Sequence, residues 1–183
     1  MKFLGATAIV ALAASIGVPA AAASPAFDAF KKVCGDTHAS FADIKSALAG
    51  PGWTSTEVLP TNMEGVTPTE GVARTSTAGN EQIAVYAWEG TKGHFHLVAC
   101  TARVKQLKLG EANGDAKAWL GFAPDNANGK STWRYGLTNG VPAAVNMTNQ
   151  AATQAAAAGD GLYFLNVFSD HDEVVIDLLK IKS

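Results

Sequence analysis

The stretch Val72-Ala-Arg-Thr-Ser-Thr-Ala-Gly-Asn-Glu-Gln-Ile-Ala-Val-Tyr-Ala-Trp-Glu-Gly-Thr-Lys-Gly-His-Phe-His-Leu-Val-Ala-Cys-Thr-Ala-Arg-Val-Lys105 decides the fold. Two-residue alternation runs through Val72–Thr77, Gln82–Glu89 and His94–Lys105. Gly79-Asn80 and Gly90-Thr91-Lys92-Gly93 separate the runs. Alternating runs of this length joined by Gly-containing turns read as an antiparallel meander. A four-residue connection over Gly90–Gly93 pairs Glu89 with His94. Strand parity then sets Ile83, Val85, Ala87 and Glu89 beside His94, His96, Val98 and Cys100 on one face. Tyr86, Trp88, Phe95 and Leu97 occupy the other face, which is also apolar and requires a cover.

Upstream, Phe27, Phe30, Val33 and Cys34 recur at helical spacing, as do Phe41, Ile44, Ala47 and Leu48. Gly50-Pro51-Gly52 ends this helical region, Trp53 opens an extended region whose short apolar piece Glu57-Val58-Leu59 ends at Pro60, and Thr61–Gly71 reads as a surface loop. Downstream, a helix over Glu111–Leu120, with Ala116, Trp119 and Leu120 buried, is the expected cover for the second sheet face. Thr132–Leu137 and Val141–Met147 flank Thr138-Asn139-Gly140, a strong hairpin pattern, and Pro142 marks an edge strand. The Ala-rich Asn149–Ala158 reads as a short helix. Gly161–Ser169 and Glu173–Ile181 read as strands around Asp170-His171-Asp172. Successive hairpins with helices at the start and in two interruptions specify an α+β domain on a mainly antiparallel sheet. One domain over residues 24–183 is expected, preceded by a leader.

That leader is Met1–Ala23: Lys2 supplies a positive start, Phe3–Val18 an apolar run, and Pro19 with Ala20–Ala23 a small-residue cleavage site. Cleavage after Ala23 would route the mature chain to the periplasm or outside the cell, with no later transmembrane segment. The two cysteines of the 183-residue chain, Cys34 and Cys100, are then expected to pair in an oxidising compartment. Closing a loop of this size stabilises a fold by about 4 kcal/mol in the chain-entropy model. It would fasten the first helix to the meander. The alternative, a thiolate nucleophile or metal ligand, conflicts with that compartment. A net charge of -2 lacks the basic surplus that phosphate neutralisation needs, so nucleic acid is not an expected partner.

The candidates for chemistry are few. His94 and His96 are two apart on one strand and leave the same face. With Glu89 as cross-strand neighbour and His38 one helical turn beyond Cys34, they form a donor set suited to zinc or copper(II). The competing reading makes these histidines structural, with no cofactor. Asp170-His171-Asp172 brings acid and base together and leaves a small hydrolase using His171 as a further alternative. No Gly-x-Ser-x-Gly nucleophile elbow or phosphate-binding glycine loop accompanies it. The aromatic set Trp53, Tyr86, Trp88, Phe95, Trp119, Phe122, Trp133 and Tyr135 serves chiefly as core but is compatible with a small apolar ligand or a protein partner.

An Ala-rich leader, a helix containing Phe30-x-x-x-Cys34, an amphipathic stretch ending in Gly52-Trp53, and a meander bearing Cys100 together resemble small exported proteobacterial proteins of unassigned function. The likeness covers roughly the first 100 residues. It implies the compartment and the disulfide, and no site. The sequence expectation is an exported, non-catalytic binding or accessory domain.

Overall fold

In a computed structural model, residues 23–57 and 64–183 are described; the expected leader through Ala22 and, of the expected apolar piece Glu57-Val58-Leu59, all but Glu57 lie outside them. The chain opens with α1 (Pro25–Phe30), continues through a π-helical turn (Lys31–Gly35), and reaches α2 (Phe41–Leu48). Ser24 starts α1, its Oγ accepting the Phe27 N–H at 3.0 Å, and Pro25 supplies a first helical residue that needs no N–H partner. The buried acid Glu81 accepts the Ala26 N–H at 2.8 Å, so an otherwise orphaned helix donor is satisfied from the sheet.

The strands are β1 (Thr54–Ser55), β2 (Thr67–Ala78), β3 (Glu81–Lys92), β4 (Phe95–Lys105), β5 (Asp125–Ala127), β6 (Lys130–Thr138), β7 (Val141–Ala144), β8 (Leu162–Asp170) and β9 (Glu173–Lys182). Two more helices, α3 (Leu109–Leu120) and α4 (Gln150–Ala158), complete an α+β architecture. All pairings are antiparallel within one nine-stranded sheet of order β1-β2-β3-β4-β9-β8-β6-β5, with β7 also paired to β6. The last strand thus lies between β4 and β8 and joins the two halves of the sequence in one sheet.

The meander forms with a different register. The β3–β4 connection is the two-residue Gly93-His94, not the expected four, so Glu89 opposes Val98 and His96 opposes Thr91. Gly93 at φ 62° supplies the positive first central residue that tight hairpins favour. The register moves by an even number of residues, so every side chain keeps its expected face. Residues Thr67–Gly71, expected as loop, belong to β2, because the longer β3 gives them hydrogen-bonding partners. A bulge between Pro68 and Glu70 accommodates the proline, and Gly90 opposite it has no room for a Cβ, which would stand 2.6 Å from the Thr67 carbonyl oxygen.

The core lies between the inner sheet face and α1, α2 and α3. Phe27, Phe30, Cys34, Ile44 and Leu48 pack with Val85, Cys100, Leu165, Ile176 and Leu178. Cys34 and Cys100, both fully buried, form the disulfide that ties the π-helical turn to β4. Helix α3 does not cover the second face as expected. Its Ala112, Ala116 and Leu120 join the same core as Phe27, the two alanines letting it lie close over β8 and β9, and its Trp119 meets Phe27 of α1 edge-on at 6.3 Å. Among the described residues a helix covers the outer face at one corner, where α4 sits over β6: a Cβ at Gly136 would lie 3.3 Å from the Ala156 methyl. Elsewhere on that face Tyr86, Trp88, Phe164 and Leu179 shield one another and stay half-buried. A polar row crosses it, Thr101 donating to Asp177 at 2.7 Å and Thr132 to Asn166 at 2.9 Å.

Candidate binding trough

Two cross-strand rows of the outer face build an open trough of about 710 Å³. One row runs Thr54, Thr75, Ala84 and Arg103, as fixed by the β1–β2, β2–β3 and β3–β4 registers. The adjacent row carries Thr77, Gln82 and Lys105. Ala84 keeps the floor low between the threonine wall on β2 and the cationic wall on β4. The volume falls in the range of about 300–1,000 Å³ usual for small-molecule sites.

Arg103 is held in place by two acids, donating to Asp170 at 2.8 Å and Glu173 at 3.2 Å. The Asp170 hydrogen bond outweighs partial burial and raises the guanidinium above its ordinary value, so it is charged at every working pH. Lys105 is exposed and forms no ion pair among the described residues. The trough therefore combines hydroxyls, one amide, an anchored guanidinium and a free ammonium.

The sequence-derived candidates are distributed differently. His96 and Glu89 do meet, Nε2 to Oε2 at 3.3 Å, as diagonal neighbours across β3 and β4. His94 sits in the turn with its ring 4.0 Å from that of Phe95. His38 lies on the opposite side of the sheet's β9 strand, at φ 51°, its carbonyl accepting from Tyr163 Oη at 3.1 Å and Lys180 Nζ at 2.9 Å. The structure thus assembles two of the four proposed donors, and among the described residues no group of three His, Cys, Asp or Glu gathers as a metal site. His171 occupies the β8–β9 turn at φ 55°, its side chain 89% exposed and Nδ1 2.9 Å from Asp170 Oδ1. It projects to solvent outside the trough lining. The aromatic set divides: Trp133 is core, its Nε1 donating to the Phe122 carbonyl, while Tyr86, Trp88 and Phe95 lie on the outer face.

The trough's own residues escaped the sequence reading. Thr-Ala-Arg-Val-Lys placed Arg103 and Lys105 on one face, since Val104 is core, but nothing local paired them with Thr75 or with Glu173. No known protein family, curated protein or solved structure matches the chain.

Proposed function

We propose that this protein is an exported, non-catalytic binding domain whose outer-face trough takes a small polar anion on a hydroxylated scaffold. The observation that carries the reading is the pairing of a hydroxyl wall, Thr54, Thr75 and Thr77, with a cationic wall in which Lys105 has no counterion among the described residues. Hydroxyls exchange hydrogen bonds with a polyol, and Lys105 supplies the point charge that an anionic group needs. Arg103 acts mainly as a fixed edge, its charge already shared with Asp170 and Glu173. Export is supported by the leader-like Met1–Ala23 and by the buried Cys34–Cys100 bond, the mark of an oxidising compartment. Among the described residues no helix is long and apolar enough to cross a membrane.

Calorimetric titration of the oxidised protein with gluconate, phosphate and glucose tests the site. Gluconate is expected to bind most tightly and glucose most weakly, with affinity falling as salt rises. Lys105→Glu should weaken gluconate at least tenfold, and Ala84→Trp, which fills the floor without touching the core, should abolish binding. No binding of either anion, or binding indifferent to both substitutions, would reject the trough as the site. Intact mass of the exported protein should begin at Ser24.

A further inference from the structure

The second cross-strand row of the trough does not stop at Lys105. Val104 pairs with Val174 and both face the core, so the next residues, Lys105 on β4 and Glu173 on β9, stand opposite one another on the outer face. Glu173 pairs in turn with Asp170 of β8, and the row runs Thr77, Gln82, Lys105, Glu173 and Asp170. Glu173 lines the trough together with Arg103 and Lys105. Hydroxyls therefore occupy one end of the trough, and an acid and a base share the other.

Two carboxylates directly opposite each other repel. Arg103 reaches in from the adjacent row and gives each one hydrogen bond, to Asp170 Oδ2 at 2.8 Å and to Glu173 Oε2 at 3.2 Å. One guanidinium between two carboxylates leaves this trio with a surplus negative charge, histidine being counted neutral. Asp170 is the more committed of the acids, since its other oxygen lies 2.9 Å from His171 Nδ1. Glu173 gives Arg103 only Oε2, and its Oε1 accepts from no described residue. Its side chain is 22% exposed, so packing and Arg103 hold the carboxylate in place at the trough. No ion pair joins it to Lys105 among the described residues. The charged end thus sets an unpaired cation and a surplus anion side by side.

Resting on the trough reading above, we infer that the anion it takes is a zwitterion, a polyhydroxylated α-amino acid whose carboxylate meets Lys105 and whose neighbouring ammonium meets the free oxygen of Glu173. An ammonium one carbon away from a carboxylate suits an acid and a base on adjacent strands, which lie about 4.8 Å apart. A simple anion at Lys105 brings its charge beside Glu173 with nothing to offset the repulsion. The hydroxylated remainder of the ligand runs over Gln82 and Ala84 toward Thr75 and Thr77. Glu173 is the specificity-determining residue, because it repels a plain anion and attracts the same anion once it carries an ammonium. A charge-assisted hydrogen bond at a part-exposed site supports a preference of about fivefold.

Four open-chain ligands that differ only at their first two carbons provide the test: gluconate, the anion; 2-amino-2-deoxygluconate, the zwitterion; 2-amino-2-deoxyglucitol, the cation; and glucitol, which is neutral. Calorimetric titration of the oxidised protein at about pH 7, where free carboxylates and amines are ionised, should rank the zwitterion first, about fivefold tighter than gluconate, with the cation and glucitol weakest. Glu173→Gln keeps an acceptor for Arg103 and removes the charge. It should bring the zwitterion and gluconate within about twofold of each other. Gluconate binding with the zwitterion no tighter overturns this inference and leaves the trough standing, whereas no binding by either rejects the trough and this inference together. A preference for the zwitterion that persists undiminished in Glu173→Gln overturns it as well. Where Glu173→Gln fails to fold, the ranking of the four ligands on the unaltered protein decides.

Discussion

Asp170 shows how single side chains set the behaviour of the trough rim. The Arg103 hydrogen bond, then that of His171, holds its carboxyl below the ordinary carboxylate value. A carboxyl depressed in the folded state contributes stability above its unfolded value near 4 and loses it as pH falls below that. Arg103→Met should therefore flatten the acid limb of a stability-versus-pH curve measured by urea denaturation; an unchanged limb would deny the network any role. Asp115 is the second informative residue, accepting the Ser24 N–H at 3.0 Å. Burial, the largest influence, raises its carboxyl above the ordinary value while Ser24 N–H is an amide. In the proposed exported form that nitrogen is an α-ammonium, which draws the carboxyl down and makes the contact an ion pair. Asp115→Asn should then lower the melting temperature of the form starting at Ser24 clearly more than that of the full chain. The stability so added would fade as pH falls through the acid range and again as pH rises past about 8, where the α-amine discharges. Equal effects of Asp115→Asn on the two forms in scanning calorimetry would discount the ion pair.

Helix α3 is the element most open to improvement, and it also shows what sequence periodicity conveys. Gly110 and Gly114 are exposed within it, and a Cβ at either position meets nothing within 4 Å. Replacing either by Ala should add about 1 kcal/mol through reduced backbone entropy of the unfolded chain. For a domain of this size that is about 2–4 °C in Tm, read by scanning calorimetry. Asn113 in the same helix buries an amide oxygen without a partner among the described residues, so Asn113→Ala should also stabilise; a loss of stability would reveal a partner. The existence and type of α1–α3 and of most of the long strands were legible because their apolar positions recur at 3.6 or 2 residues, and α4 was legible from its alanine content. The first residues of β2, Thr67–Gly71, were not legible, since Thr, Pro, Glu and Gly carry neither period. Face assignments in β3 and β4 were legible for the same reason, since Ile83, Val85 and Ala87 alternate with Tyr86 and Trp88. The β3–β4 register was not, because Thr91 and Lys92 suit a turn as well as a strand end. Nor was the side taken by α3: a sheet apolar on both faces offers a helix two places, and small residues such as Ala112 and Ala116 do not select between them.

At the scale of the molecule, the candidate trough joins residues from Thr54 to Glu173 through four registers, so its cationic wall was visible as Arg103 and Lys105 but its shape was not. The disulfide, by contrast, needed only compartment logic and the helix-over-sheet layout. It crosslinks positions separated by 66 residues and fixes the N-terminal helical layer to β4, beside the β4–β9 junction that unites the sheet. Both sulfurs are fully buried, so reductant should not reach them in the folded state, and free thiols should appear only once denaturant opens the chain. Cys34→Ala with Cys100→Ala removes the crosslink while leaving small apolar side chains in the core. The chain-entropy model then predicts a loss of about 4 kcal/mol, a large share of the roughly 5–15 kcal/mol of a typical domain. The double variant should unfold at markedly lower urea and with a steeper slope, because the unfolded chain freed of its crosslink exposes more surface. A loss below about 1 kcal/mol would mean that Phe27, Phe30 and Ile44 hold the helical layer without help. The wild-type protein folded under reducing conditions should show the same deficit, which ties the stability of this fold to the oxidising compartment proposed for it.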